Sequence, residues 1–171
     1  MDKWFFALIQ FFPLSVFAAF AYWEGIPSNE RWLEAFQLGA LLGVFQLVIM
    51  LSRKEPLNRL VLAGNLYLIL GGLAVLLQQW WYLQLYDSLR EFAIILSMAF
   101  VGGFTTFCSG YGFIAVKGSA RVLSVYLFLA TVAMLPFAII FQGNRIYSAV
   151  LPILFLAILQ RYLAYVAKQK R

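Results

Sequence analysis

Six long apolar blocks divide this sequence, and they constrain its fold more than any other feature. The blocks lie at about residues 4–23, 35–51, 60–78, 92–116, 122–141 and 146–165. An α-helix needs roughly 20 apolar residues to cross about 30 Å of hydrocarbon, and the cores of these blocks contain no Asp, Glu, Lys, Arg or His. The pattern therefore predicts an all-α polytopic membrane protein, a bundle of six transmembrane helices in a single domain that covers residues 1–171.

The composition agrees with a chain that lies mostly in lipid. Hydrophobic residues make up 64% of the sequence and charged residues only 12%, whereas a soluble domain carries roughly 25% charged residues. The net charge is +6, but the Lys and Arg residues lie in short loops and in the C-terminal tail. We therefore expect anionic lipid headgroups, and no nucleic acid, as the partner of these charges.

The basic residues are distributed unequally between the two predicted sides of the membrane. Ten of the 13 Lys and Arg residues fall on one side: Lys3, Arg53, Lys54, Arg59, Lys117, Arg121, Arg161, Lys168, Lys170 and Arg171. The other side carries only Arg31, Arg90 and Arg145. Because cytoplasmic loops carry an excess of Lys and Arg, both the N-terminus and the C-terminus are predicted to be cytoplasmic, with the chain in the inner (plasma) membrane.

One stretch between two blocks is too polar to cross the membrane. It runs from Gln78 to Glu91 and contains Trp80, Trp81 and Tyr82, aromatic side chains of the kind that settle among lipid headgroups. We expect this stretch to form a helix that lies in the plane of the outer surface.

The sequence contains few residues that could carry chemistry. It has no histidine and a single cysteine, Cys108, which lies inside an apolar block. An intramolecular disulfide, a histidine-built metal site and a Ser-His triad are therefore impossible. Ionisable groups within the membrane are what proton relays are built from, so we expect no proton-driven pump, no cofactor and no enzymatic activity.

The fourth block has two contrasting faces at 100° per residue. One side carries mostly small and polar residues together with one ring: Gly102, Thr105, Thr106, Ser109, Gly112 and Phe113. Large rings lie almost opposite: Phe100, Phe104, Phe107 and Tyr111. We expect the small face to point into the bundle, because Gly permits a close helix approach and bulky rings prevent it. Packing is the simpler interpretation of this face; the alternative is that Thr105, Thr106 and Ser109 line a small polar cavity.

The second and third blocks carry glycine spacings typical of close helix contacts. Gly39 and Gly43 form a GxxxG motif with Gln46 on the same face, and the third block has Gly64 and Gly71 seven residues apart. We predict that Gly39, Gly43, Gly64, Gly71 and Gly102 lie at helix contacts. Gln46 and Asn65 are further candidates for the polar cavity. Their side chains either form hydrogen bonds between helices or face a ligand.

Three features of roughly the first 100 residues belong together: Phe11-Phe12-Pro13-Leu14 with Phe17 and Phe20, Arg53-Lys54-Glu55, and Gly71-Gly72 followed by aromatic residues. With these features the first part of the chain resembles the intracellular septation protein A group of small bacterial inner-membrane proteins. The resemblance implies an envelope-associated or division-associated protein without assigned chemistry.

A second resemblance is local. The stretch Gly102-Gly103-Phe104-Thr105-Thr106-Phe107 is similar to the Gly-Gly-x-Thr-Thr-Phe stretch of small dual-topology fluoride channels, in which the helix is broken and phenylalanines line the pore. Here Cys108 stands where that family usually has serine, and the family has four helices per subunit. The resemblance implies that the fourth helix can be broken, and we do not transfer the activity.

Two functions from different classes follow from these features. The leading expectation is a non-enzymatic inner-membrane protein, an envelope-associated scaffold or a subunit of a membrane assembly, because short loops leave mainly intramembrane surfaces for a protein partner or a second copy. The alternative is a small-solute transporter or channel, including the substrate-binding subunit of a vitamin uptake system, which has a similar size and also six helices.

Single cysteines test the predicted topology. In a background without Cys108, position 28 lies on the predicted outer side and position 119 on the predicted inner side. We expect an impermeant maleimide, added to intact cells, to label the Ser28→Cys variant and not the Ser119→Cys variant, and permeabilised cells to label both. Labelling of the Ser119→Cys variant alone in intact cells would overturn the topology.

Overall fold

The computed structural model describes residues 10–23, 25, 28–52, 57–116 and 121–169. Within these ranges the chain is helical and contains no β-strand. The α-helices are α1 (Phe12–Tyr22), α2 (Asn29–Ser52), α3 (Arg59–Leu76), α4 (Trp80–Leu89), α5 (Phe92–Cys108), α6 (Arg121–Ile140) and α7 (Leu151–Gln169). A π-helical turn, Ile146–Val150, runs directly into α7. It lies just before Pro152, which has no N–H to donate to the regular helical pattern.

Four of these helices are long and apolar enough to cross a membrane: α2, α3, α6, and the π turn together with α7. A fifth candidate span exists if α4 and α5, which are separated by a bend at Arg90 and Glu91, form one broken span. The described part of α1 has 11 residues, and the start of the first predicted span, residues 4–9, lies outside the described residues. The structure is therefore an all-α membrane protein with four or five candidate spans among the described residues.

Side-chain caps determine where two of the helices begin. The backbone N–H of Arg31 donates to Ser28 Oγ at 3.3 Å, so α2 starts at Asn29, before the apolar block that begins at residue 35. The backbone N–H of Leu60 donates to Asn58 Oδ1 at 3.0 Å, which caps α3. Ser and Asn are favoured at these positions because their oxygens accept from N–H groups that have no partner within the helix.

The polar stretch after α3 does form a helix. Gln78 adopts a left-handed conformation (φ 54°), and the N–H of Gln79 bonds to the carbonyl of Ala74 at 2.8 Å, which is the pattern that ends helices in a Schellman motif. The chain then begins α4. The expected helix between Gln78 and Glu91 is present, while its position at the outer membrane surface stays a prediction.

The predicted fourth span, 92–116, is wrong in its last eight residues. The helix does not continue to residue 116; α5 ends at Cys108, and Ser109 is extended with φ −106° and ψ 133°. Turns follow, with left-handed residues at Gly112 (φ 61°) and Ala115 (φ 58°). Hydropathy does not detect this break, because residues that form turns and residues that span lipid are similarly apolar here.

The described helices form two compact units. The first unit contains α1, α2, α3 from Gly64 onward, and α4 up to Ser88. The second unit contains residues 57–63 and the described chain from Leu89 onward. The expectation of a single domain concerns the folding of the whole chain and stays a prediction.

The core of the first unit is a cluster of rings around Phe36, whose side chain is fully buried. The ring centroid of Phe36 lies 4.8 Å from that of Phe17, 4.5 Å from that of Trp32 and 5.7 Å from that of Tyr67. Space for Phe36 exists because α3 has glycines at positions 71 and 72: an added Cβ at Gly71 would overlap the Phe36 ring. Gly39 is also close to its neighbours, since a Cβ there would lie 3.1 Å from Leu68 Cδ2.

In the second unit, too, a buried phenylalanine ring lies against a glycine of a helix. Phe113, in the turn after α5, is fully buried, and an added Cβ at Gly102 would lie 2.6 Å from its Cε1. Gly103 similarly faces Phe128 of α6, where a Cβ would approach the Phe128 ring to 3.2 Å. The closest contact of Gly102 is therefore a ring from its own following turn, and not a second helix.

Two glycines on α3 provide a matched test of close packing. A Cβ at Gly72 would overlap Ala40 and lie 3.0 Å from the Phe36 carbonyl oxygen, whereas a Cβ at Gly64 would meet nothing within 4 Å. We expect Gly72→Ala to lower the free energy of unfolding by about 1–3 kcal/mol, because the neighbouring backbone has to shift. Gly64→Ala should be neutral or stabilise by up to about 1 kcal/mol, because alanine is the better helix former. Thermal unfolding in a mild detergent measures both, and equal effects would contradict the predicted close approach.

Candidate functional site

The small face of α5 points into the second unit, as its helical periodicity predicts. Gly102, Thr105 and Thr106 are buried. The side chains of Phe100, Phe104 and Phe107 are 77%, 65% and 63% exposed. The predicted orientation of this helix is therefore confirmed, and the polar groups of its small face lie inside the protein.

The two adjacent threonines of this face have different surroundings. Thr105 Oγ1 donates to the Val101 carbonyl oxygen at 2.7 Å, so its hydroxyl is bonded within its own helix. Thr106 is only 1% exposed, and its Oγ1 atom is buried without a hydrogen-bond partner. A buried hydroxyl without a partner costs about 1–3 kcal/mol, which makes Thr106 the unusual member of the pair.

Thr106 lines a pocket of about 270 Å³ at the C-terminal end of α5. The remaining lining residues come from the turn that follows α5 and from the first residue of α6: Ser109, Gly110, Gly112 and Arg121. We call this site the donor pocket. The extended Ser109 ends α5, and the glycines of the turn carry no side chain that would fill the space.

Arg59 adds a second guanidinium beside this pocket. It is the first residue of α3, and its Nη2 donates to Ser109 Oγ at 3.5 Å. The Arg59 side chain is half-buried, and its Nε atom is buried without a hydrogen-bond partner. Sequence reasoning gave Arg59 and Arg121 only a role at the lipid surface and did not relate them to Ser109. The turn-forming sequence Ser109-Gly110-Tyr111-Gly112 was the available signal, because it marks the place where a helix ends and exposes polar groups.

The other two predicted cavity residues lie in the first unit and bond to each other. Asn65 Nδ2 donates to Gln46 Oε1 at 2.7 Å, and Gln46 Nε2 donates to the Gln10 carbonyl oxygen at 3.0 Å. Gly43 lies beside the pair, since an added Cβ would be 3.6 Å from Asn65 Oδ1. The five predicted cavity residues therefore separate into a bonded amide pair in the first unit, two pocket-lining hydroxyls in the second unit, and Thr105, which bonds to its own helix.

A second pocket lies in the first unit and has a different character. It encloses about 550 Å³ and is lined mostly by apolar side chains, with one basic and one acidic residue: Val16, Ala19, Phe20, Trp23, Arg31 and Glu34. Opposite charges in one lining favour neither an anion nor a cation. The donor pocket is the stronger candidate for a specific site.

Comparison with known proteins yields no matching family model, no similar curated protein and no similar solved structure. The resemblances to the septation group and to the fluoride channels stay predictions from the sequence.

A double-mutant cycle tests whether the amide pair holds α2 to α3. We expect Gln46→Ala and Asn65→Ala to be coupled by about 0.6–2 kcal/mol in unfolding free energy, the range found for hydrogen bonds between membrane helices. As a control, Asn65→Ala combined with Gln79→Ala should be additive, because Gln79 bonds to the Leu77 carbonyl at an exposed helix end. The cycle is measured by unfolding in mixed micelles, and additivity at Gln46 and Asn65 would show that the pair contributes nothing.

Proposed function

We propose that this chain is a non-enzymatic multi-pass protein of the inner (plasma) membrane, with six spans and both termini in the cytoplasm. Four or five candidate spans among the described residues support the multi-pass part. The apolar block at residues 4–23, which includes α1, is the proposed sixth span. An even number of spans places both termini on the same side of the membrane. The bias of basic residues toward the sides of both termini supports the orientation.

We propose further that it acts as an envelope-associated scaffold or as a subunit of a membrane assembly, with a protein partner or a second copy. The observation that carries this proposal is that helix polar groups are mostly bonded within the protein. Besides the amide pair, Ser97 Oγ donates to the Ala63 carbonyl at 3.1 Å and Thr131 Oγ1 to the Leu127 carbonyl at 2.9 Å. The Asn65–Gln46 and Ser97–Ala63 bonds join different helices, and the Thr131 bond lies within α6. A solute path, in contrast, needs polar groups that are free to exchange partners.

The exposed rings of α5 support an interaction within the bilayer. Phe100, Phe104 and Phe107 form a ridge that the described chain leaves largely uncovered, and Phe107 packs edge-on against Phe128 with ring centroids 6.2 Å apart. Such a ridge can contact lipid chains or the helix of another membrane protein. Aromatic side chains are enriched where proteins contact each other.

A small-solute transporter or channel is the second candidate. The donor pocket favours it, because the Thr106 hydroxyl is buried there without a partner. A transported solute would have to pass through more polar surface than this one pocket provides. The assembly role therefore has the stronger support.

Photo-crosslinking at matched positions tests the assembly role. We expect a photoreactive phenylalanine at Phe104, on the exposed ridge, to give one adduct of defined mass in cells at native expression level, either with a second copy or with one other protein. The same group at Leu156, which is fully buried, should give adducts only within the chain. Native mass spectrometry of the complex extracted in lipid nanodiscs should show a fixed stoichiometry.

Two results would contradict this proposal. One is a crosslinker that yields only lipid adducts at Phe104 and at exposed positions on other helices, such as Leu41, Leu129 and Ile158. The other is saturable solute flux through proteoliposomes that contain the purified chain alone, which would favour the second candidate.

A further inference from the structure

The donor pocket presents hydrogen-bond donors and positive charge, and the described residues that line it include no carboxylate. Its chemistry follows from four groups: the hydroxyls of Thr106 and Ser109, and the guanidiniums of Arg59 and Arg121. Each has an unused capacity to donate hydrogen bonds.

Thr106 provides the first donor. Its side chain is 1% exposed, and its hydroxyl has no hydrogen-bond partner among the described residues. The hydroxyl of the adjacent Thr105 donates to the carbonyl four residues earlier, as threonines in helices commonly do. Thr106 Oγ1 forms no such bond within the described residues, and Thr106 is one of the residues that line the pocket. The hydroxyl itself is buried, so it reaches a ligand by rotation of the side chain.

Ser109 provides the second donor, because its oxygen already accepts two hydrogen bonds. Arg59 Nη2 donates to Ser109 Oγ at 3.5 Å, and the Tyr111 backbone N–H donates to the same atom at 3.3 Å. A hydroxyl oxygen has two lone pairs and one hydrogen. With both lone pairs occupied, Ser109 can act only as a donor, and its hydrogen has no acceptor in the described part of the chain.

The two arginines provide the charge. A guanidinium does not lose its proton in a protein. Arg59 is half-buried, where a cation without a counter-charge is unfavourable, whereas Arg121 is exposed. Neither Arg59 nor Arg121 forms an ion pair within the described residues. Arg121 is also the first residue of α6, where the helix dipole places partial positive charge.

We infer that the donor pocket binds a phosphate group, with the Thr106 and Ser109 hydroxyls and both guanidiniums donating to its oxygens. A phosphate group presents several strong acceptor oxygens, and the planar fork of arginine matches it. The pocket volume of about 270 Å³ is several times the roughly 30 Å³ that one water occupies in the liquid, so it has room for phosphate and part of an ester. The phosphate belongs either to a lipid headgroup or to a free anion.

Binding is tested on the purified full-length chain by thermal unfolding, with one probe for each source. Inorganic phosphate is titrated in a neutral detergent at constant ionic strength, with chloride as the control anion. Phosphatidic acid is mixed into the micelles in a second series, with phosphatidylcholine as the control lipid. We expect at least one phosphate probe to raise the melting temperature in a saturable manner and its control not to do so.

Three variants assign the binding to this pocket. Thr106→Val nearly preserves the side-chain shape, and Ser109→Ala removes the second hydroxyl. Each should weaken apparent affinity by roughly tenfold or more, because hydrogen bonds to charged groups are the stronger ones. Thr105→Val is the matched control and should keep the affinity of the parent. Without phosphate, Thr106→Val should melt at the same temperature as the parent or above it, because a buried hydroxyl without a partner is removed.

The outcomes separate the sources and the proposals. Saturable stabilisation by inorganic phosphate alone supports a free anion, and stabilisation by phosphatidic acid at concentrations where inorganic phosphate has no effect supports a lipid headgroup. No stabilisation beyond the controls overturns the inference, as does an equal response of the parent, Thr106→Val and Ser109→Ala. Because binding is measured on the purified chain, this result is independent of the assembly role, whose failure would appear in the crosslinking experiment.

Discussion

In each compact unit a fully buried phenylalanine ring lies against glycine on a helix, and much of the described packing is arranged around that contact. The Phe36 ring of α2 lies on Gly71 of α3, and the Phe113 ring lies on Gly102 of α5. Helices in lipid gain little from the hydrophobic effect when they associate, so close van der Waals contact has to hold them together. A ring that fills the space beside a glycine provides many such contacts at once.

A second constraint is that polar groups within lipid need partners inside the protein. Several polar side chains on these helices satisfy this requirement with hydrogen bonds: Asn65 to Gln46, Ser97 to the Ala63 carbonyl, and Thr105 to the Val101 carbonyl of its own helix. Thr106 does not. Among the described residues, Arg59 Nε and Glu91 Oε2 are also buried without a partner. Such exceptions are more informative than a long list of polar residues, because each leaves an unpaired buried group that costs stability.

Sequence reasoning recovers the features that depend on periodicity and size. The inward direction of Gly102 and Thr106, the outward direction of Phe104, and the close approach at Gly39 all follow from helical spacing. It fails where a short-range hydrogen bond decides the outcome. The early start of α2 depends on Ser28, and the end of α5 depends on Ser109 and the glycines after it, none of which alters the hydropathy of the chain.

The sequence predicts some residues of the candidate site and misses others. The five candidate cavity residues are polar residues within apolar blocks. Two residues that meet this criterion, Thr106 and Ser109, line a pocket in the structure. The same criterion also selects Gln46 and Asn65, which bond to each other, because polarity alone does not distinguish a satisfied amide from a free hydroxyl. The polarity criterion does not select Arg59 and Arg121, because they lie at the ends of the apolar blocks. Basic residues at such positions are ordinarily assigned to lipid headgroups.

The turn after α5 links the donor pocket to the core of its unit. Ser109 Oγ accepts the Tyr111 N–H at 3.3 Å, and the Val116 N–H closes the turn on the Tyr111 carbonyl at 3.0 Å. Phe113 lies between these two bonds and fills the space beside Gly102. A ligand that bound the folded chain at Ser109, and not the unfolded chain, would stabilise the fold by RT ln(1 + [L]/Kd). One short turn therefore contains both Ser109, which lines the pocket, and Phe113, which packs in the core of the unit.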